Sequence, residues 1–513
     1  VTDTAALPPE PGPRVPTGVP GLDTLLRGGW LRGGTYIVTG VPGTGKTLLG
    51  NQFCFSTVTQ GGKAIYLTVL AESHARMVLH LQEMRFFRKE EVGRTLNYES
   101  GYAALKADGL AGLSRLIFRA VREHGATALV VDGMSAVEER AESRLAFREF
   151  LHGLCVHNAL AGCTTLLLTG QRNDPADPQF ALVDGVAILG MDSLGVKVVR
   201  SVEVVKFRGG AQMGGKHSFD ITDSGLTVYP RTEALYSGKS TRVPDLDDRL
   251  AFGIPRLDEM LYGGLIRYSS TLVFGSPGAG KTLMCLSFLA EGARRGEPGL
   301  YFGFVETPPR LLNKAGLVGM DLRKHVDAGR VHLESRVPVE LLPDALVQEL
   351  LGLVKQHGIQ RLVLDGLEPF IQESTDKSRT PRVLTALNNT LRGLGVTTLA
   401  TQQTNTLFGP ELNAPLEGVE AIIDNILLLR FVELRSQLYR MLSVLKMRES
   451  PNDPALRLFS ITSKGIDVAE TFESAEAILT GQARPVPPTL KKKKKAQKPG
   501  KRKGVPRRRR GGE

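Results

Sequence analysis

The chain has 513 residues, 42% of them hydrophobic and 23% charged, a globular composition with length enough for two to four domains of roughly 100–200 residues each. No apolar run reaches the ~18–20 residues that span a bilayer, and the Pro-rich stretch 1–16 lacks the basic-then-apolar layout of a secretory leader. A membrane partner is therefore not expected, and a cytoplasmic location is. The net charge of +12 resembles a nucleic-acid signal until it is located: residues 491–513 hold thirteen Lys/Arg and one Glu, which leaves the first 490 residues formally neutral.

In chain order, residues 1–13 carry no apolar pattern and are expected to be disordered. A first domain is expected over 14–235. It opens with Thr17-Gly-Val-Pro-Gly-Leu-Asp23 and Gly28-Gly29, followed by the apolar strand Tyr36–Thr39 and then Gly40-Val-Pro-Gly-Thr-Gly-Lys-Thr47. A helix over Thr47–Thr59 follows. Strands are expected at Ala64–Val69, Ala128–Val131, Thr164–Thr169 and Ala187–Leu189, with a helix at Arg144–Ala161. Short apolar runs separated by amphipathic helices predict an α/β fold, a mainly parallel sheet covered on both faces. The stretch Val196–Tyr229 alternates and is punctuated by glycine, so it reads as antiparallel.

After a joining segment at 236–248, the pattern begins again. Phe252-Gly-Ile-Pro-Arg-Leu-Asp258, Gly263-Gly264 and Gly275-Ser-Pro-Gly-Ala-Gly-Lys-Thr282 repeat the opening at an offset of 235. Asp132-Gly returns as Asp365-Gly at 233, while Asp184 returns as Asp424 and Lys206-Phe-Arg208 as Lys446-Met-Arg448 at 240. Matching order at nearly constant offset means a tandem duplication, with the second domain over 249–475. Residues 476–513, Pro-rich and then Lys/Arg-rich, have no apolar surface to bury and are expected to be a disordered tail. Without interleaved aromatics, Lys491–Arg510 suggests at most salt-dependent, sequence-blind contact with nucleic acid or another acidic surface; a solubilising tail is the alternative.

Gly-x-x-x-x-Gly-Lys-Thr between a strand and a helix is a phosphate cradle: main-chain N–H groups turn inward where side chains would obstruct them, and the helix N-terminus adds positive charge. Gly40, Gly43, Thr44, Gly45, Lys46 and Thr47, and again Gly275, Gly278, Ala279, Gly280, Lys281 and Thr282, are the expected ATP-binding residues. Lys46 and Lys281 suit the β- and γ-phosphates. Thr47 with Asp132 and Thr282 with Asp365 suit magnesium. Each strand-end Asp is followed by Gly, so a water-activating carboxylate has to come from elsewhere. Glu306 and Glu72, just past the second strand of each copy, are the candidates, with an exposed helix-cap glutamate as the plain alternative. Lys206/Arg208 and Lys446/Arg448 could each present two cations on one strand face, or be solvated strand ends. Cys54, Cys155, Cys163 and Cys285 form no CxxC pair, and His152 and His157 make no zinc spacing.

With these motifs in place, residues 14–475 resemble the KaiC-type tandem ATPases of the RecA-like superfamily. The Gly-x-x-Gly/Arg-Leu-Asp openings, the paired phosphate loops, Lys-Phe-Arg-Gly and Lys-Met-Arg-Glu, and Phe431-Val-Glu-Leu-Arg435 carry the resemblance. It implies two RecA-like P-loop NTPase domains, ATP and magnesium as cofactors, and a homo-oligomer, a hexameric ring. It also implies Lys206, Arg208, Lys446 and Arg448 acting as fingers on a neighbouring subunit's nucleotide, and ATP hydrolysis used to regulate a protein partner. Two departures matter. The family's clock protein has adjacent glutamates after the second strand, where this chain has Leu70-Ala71-Glu72 and Val305-Glu306. Its phosphorylated Ser-Thr pair aligns with Glu420-Ala421, so a serine/threonine autokinase cycle is not expected even where the family is called a kinase. A nucleic-acid-dependent RecA/DnaB-like ATPase and a non-hydrolysing nucleotide sensor are the other readings.

Overall fold

The computed structural model describes residues 14–69, 74–170, 178–194, 197–238, 242, 245–337, 339, 341–372, 376–404, 423–434, 437–469, 475–477 and 483–485. Two nine-stranded sheets organise them. In the first, the order is Gly225–Tyr229, His217–Thr222, Lys197–Phe207, Gly185–Leu194, Thr35–Gly40, Thr164–Thr169, Ala128–Asp132, Ala64–Thr68 and Leu96–Ser100. The strands from Gly185–Leu194 to Leu96–Ser100 run parallel, and the other three are antiparallel. The second sheet repeats this order with Ser270–Gly275 in the place of Thr35–Gly40. Both copies are thus RecA-like α/β layers, as the alternation of buried runs and helices predicts.

Each sheet is covered on both faces, so its central strands are buried and mainly apolar, with Thr and Ser near their ends. Thr35–Gly40 and Ser270–Gly275 are buried at every position. In the first copy, Val38, Tyr66, Val130 and Leu168 face one core with Leu49 and Phe53 of the helix Lys46–Thr59, while Ile37, Leu67, Val131 and Leu167 face another with Phe147 and Leu151. This alternation divides every central strand between two cores. The strand Leu96–Ser100 escaped the sequence reading because it is a half-exposed edge of mixed polarity.

The repeated openings are turns pinned by their aspartates. The Asp23 carboxylate accepts the Thr17 N–H at 2.8 Å, and Asp258 accepts the N–H groups of Phe252 at 2.7 Å and Gly253 at 3.1 Å. Asp184 and Asp424, also repeated, accept the N–H groups of Thr35 and Ser270 at 2.9 Å each, fixing the start of the strand that feeds each phosphate loop. These matched aspartates pin backbone that no ladder satisfies.

The lobes meet through a charged knot. Arg379 donates to both oxygens of Glu233 at 2.9 Å and to Asp344 at 3.1 and 3.2 Å, while the N–H and hydroxyl of Thr232 both reach Asp344 at 2.9 Å. Asp344 is 1% exposed. Tyr236, from the expected joining segment, packs against a core of the second lobe. Beyond the expected boundary at 475, Ala475–Ala477 pairs antiparallel with Ala483–Pro485, two short segments satisfying each other's backbone. The tail segment Lys491–Arg510, residues 1–13 and Glu420-Ala421 lie outside the described residues. Among the described residues, no helix is long and apolar enough to cross a membrane.

Two outcomes follow from this packing. Arg379→Ala strands the buried Asp344 carboxylate and should cost about 3 kcal/mol, read in scanning calorimetry as a lower first transition that separates from the second. Burial, opposed by the N–H bonds of Phe252 and Gly253 and reinforced by Glu291, pushes Asp258 from its ordinary 3.8 up to about 6. A carboxyl raised on folding contributes stability that is complete below 3.8 and lost as pH rises through about 6. Between pH ~4 and ~6 the unaltered chain should therefore lose stability relative to Asp258→Asn, measured by denaturant melts at each pH.

Candidate functional site

Each phosphate loop runs from the last residue of a buried strand into a helix. Gly45 and Gly280 precede those helices at φ of 92° and 104°, and a Cβ there would stand 2.8 Å from Ile221 Cδ1 or 2.7 Å from Ile461 Cδ1. Only glycine meets both demands. Gly43 and Gly278, at φ of 85° and 74°, have nothing within 4 Å where a Cβ would stand. The space over these two exposed glycines is open to a phosphate group. Gly40 and Gly275 end the feeding strands, while Thr44 and Ala279 are buried within the loops, Thr44 donating its hydroxyl to the Val41 carbonyl at 2.9 Å.

The lysines fold back over their loops. Lys46 Nζ donates to the carbonyls of Gly40 at 2.7 Å and Val41 at 3.0 Å; Lys281 Nζ donates to Gly275 at 2.7 Å and Ser276 at 3.0 Å. Burial lowers the affinity of each lysine for its proton, offset by Asp132 beside Lys46 and by Asp365 and Glu368 beside Lys281. A triphosphate would supply the charge that neutral carbonyls do not.

At the next strand end, Thr47 donates to Asp132 at 3.0 Å and Thr282 to Asp365 at 2.9 Å. A tyrosine that the sequence reading did not single out completes each cluster: Tyr66 donates to Asp132 at 2.7 Å and Tyr301 to Asp365 at 2.6 Å. Burial and the adjacent carboxylate push both phenols far up, so each stays a donor. The constant offset of 235 between the two tyrosines was the available signal. Hydroxyl and carboxylate oxygens at the mouth of a phosphate cradle are the hard donors that magnesium prefers. The residues fit Mg-ATP.

The second lobe's cradle opens into a cavity of about 500 Å³ lined by Lys281, Thr282, Glu306, Asp365, Glu368, Thr401, Gln403 and Arg440. Glu306 is there, ion-paired with Lys314. Glu72 lies outside the described residues. Arg440 was missed although Arg200 repeats it at an offset of 240; its Nε donates to the Gly278 carbonyl at 3.3 Å, and its guanidinium lies 5.5 Å from the centre of the Phe431 ring. The copies also differ. Thr401 donates to Asp365 at 2.6 Å, whereas Leu168 occupies the matching register position opposite Asp132.

The Lys-x-Arg pairs are elsewhere. Lys206 is opposite Val186, which is opposite Ile37, three positions before Gly40. Lys206 Nζ donates to the carbonyls of Phe180 at 2.5 Å, Ala181 at 3.1 Å and Val183 at 2.7 Å, and Arg208 reaches Ala181 at 2.9 Å, so the two cations do share a face. Lys446 donates to the Ile423 carbonyl at 2.7 Å and Arg448 to Asp424 at 3.2 Å. Neither lines the second lobe's cavity.

The ATPase family model KaiC matches residues 15–233 and 250–473, one match per lobe. The chain belongs to the KaiC family. Among curated proteins, it is 27% identical to the circadian clock oscillator protein KaiC of Parathermosynechococcus lividus, over 91% of this chain and 88% of that one. The proteins of the same name from Thermostichus vulcanus and Prochlorococcus marinus are also 27% identical, each over 91% of this chain and covering 91% and 95% of their own lengths. As a KaiC-family ATPase, the chain is an ATP-binding protein with two tandem RecA-like lobes.

Proposed function

We propose that the chain hydrolyses Mg-ATP and works as a ring-shaped homo-oligomer, a hexamer, whose nucleotide state regulates a protein partner in the cytoplasm. The observation that carries this reading is the duplicated constellation: lysine on the loop carbonyls, threonine and tyrosine on the strand-end aspartate, with the same partners in both lobes. Loop N–H groups would bind the β- and γ-phosphates, and Lys46 or Lys281 would neutralise them. Magnesium, when bound, supplies positive charge at those oxygens, and Thr47 with Asp132 or Thr282 with Asp365 are the residues that would hold it. Glu306 would take a proton from the attacking water in the second pocket, with Glu72 its counterpart in the first.

Lys206, Arg208, Lys446 and Arg448 are proposed as fingers on a neighbouring subunit's terminal phosphate. In support, they pair two cations, and Lys446 and Arg448 stand apart from their own lobe's cavity. The first lobe also admits a sensor reading, because Leu168 and Ser135 stand where the second lobe has Thr401 and Glu368. The tail Lys491–Arg510 is proposed as a salt-dependent, sequence-blind contact for nucleic acid, separate from the ATPase body.

Calorimetric titration with ATP and phosphate release decide between these roles. Lys281→Ala should remove one binding event and lower total turnover to that of the first lobe. Lys46→Ala should remove the other event, and little change in turnover would favour a sensing first lobe. Within a hydrolysing pocket, the loss should be about 10²–10³-fold. ATP uptake at neither pocket of the folded protein would overturn the proposal. Separately, a chain ending at Leu490 should lose retention on DNA or RNA columns at low salt, whereas retention unchanged by the truncation would remove the tail from consideration.

A further inference from the structure

The two lobes differ at one position that the reaction above does not use. Three residues past the strand-end aspartate, the first lobe has Ser135 and the second has Glu368. Both side chains do the same structural task. Ser135 Oγ accepts the main-chain N–H of Gly170 at 2.9 Å, and Glu368 Oε1 accepts that of Gln403 at 3.1 Å. Gly170, just past Thr164–Thr169, and Gln403, the last residue of Thr397–Gln403, correspond at an offset of 233, so the slot needs only a single acceptor, and a hydroxyl suffices.

Glu368 exceeds that need by one oxygen. With Oε1 anchored to the strand end, no described residue donates to Oε2. The side chain lines the same cavity as Lys281, Thr282, Asp365 and Glu306. A half-buried carboxylate whose second oxygen meets no donor among the described residues, beside the phosphate-loop lysine Lys281, is not explained by packing. Of the other two carboxylates lining this cavity, Asp365 is held by Thr282, Tyr301 and Thr401, and Glu306 is ion-paired with Lys314.

We propose that Glu368 is a further catalytic carboxylate of the second pocket, holding through Oε2 the water that attacks the terminal phosphate. The inference rests on the hydrolysis reading above. The water has two O–H bonds: one proton passes to Glu306, and the other O–H is held by Glu368. The water oxygen bonds to the γ-phosphorus while the bond from that phosphorus to the β–γ bridging oxygen breaks. ADP leaves with the electron pair, and the proton on Glu306 returns to solvent. In the first pocket the matching position is Ser135, whose single oxygen is the one that anchors Gly170.

Substituting the first lobe's own residue tests this, because Glu368→Ser keeps a hydroxyl acceptor of the kind that Ser135 supplies to Gly170 while removing the carboxylate and its second oxygen, and Glu368→Gln keeps the side chain's length while removing its charge. Phosphate release is followed in a Lys46→Ala background, so that the second pocket alone is read, with Glu368→Ser and Glu368→Gln as the variants. Affinity for a non-hydrolysable ATP analogue is measured by calorimetry, and folding by thermal melt. The expected result is a kcat lower by about tenfold or more in both variants, with KM, analogue affinity and melting temperature unchanged. A smaller fall in kcat, or analogue affinity lost in step with it, overturns the proposal. A Lys46→Ala parent that binds the analogue but releases no phosphate overturns instead the hydrolysis reading of this pocket, and this inference with it.

Discussion

Asp365 ends a strand whose ladder places Gly303 on one side and Thr401 on the other, and its carboxylate gathers three hydroxyl groups there. Thr282 comes from the start of the phosphate-loop helix, Tyr301 from one neighbouring strand and Thr401 from the other. Hydrogen bonds to an ionised oxygen are shorter and roughly twice as strong as those between neutral groups, so this one side chain ties the loop to the sheet. A phosphate loop has no core of its own. Its position is set by the strand that feeds it and by the aspartate that receives its threonine.

The same constraint explains how the lobes share a scaffold and differ in the side chains around it. Buried strands and the glycine-dependent turn fix where Lys46 and Lys281, or Asp132 and Asp365, must stand, and there the copies agree. Positions that only need a filler or a single acceptor are free to diverge. Leu168 replaces Thr401 at the cost of one hydroxyl on the aspartate, and Ser135 replaces Glu368 without loss of the strand-end bond. Among the described residues, the pockets therefore differ in side chains set on a common backbone. The knot of Arg379, Glu233 and Asp344 then joins the end of the first lobe to the second through groups largely removed from water.

Much of this was legible in the residues. Duplication, the two phosphate loops, the strand-end aspartates and the mainly parallel sheets follow from patterns that local sequence carries. A strand buried on both faces must be continuously apolar, and a loop that turns its N–H groups inward must be rich in glycine. The edge strand Leu96–Ser100 was not legible, since half-exposed residues of mixed polarity carry no such signature. The repeated Asp23 and Asp258 were visible as a motif, but not as turn pins.

What the sequence by itself determined was the set of groups whose place is dictated by backbone: Gly40 to Thr47, Gly275 to Thr282, and Asp132 and Asp365. Tertiary structure alone decided which distant side chains face them. Glu368, Thr401 and Arg440 come from three separate elements and reach one cavity only because strand order and register bring those elements together, and the same order sets Tyr301 against Asp365. Spacing along the chain holds no record of that neighbourhood, because each of these residues also satisfies an ordinary local role where it stands.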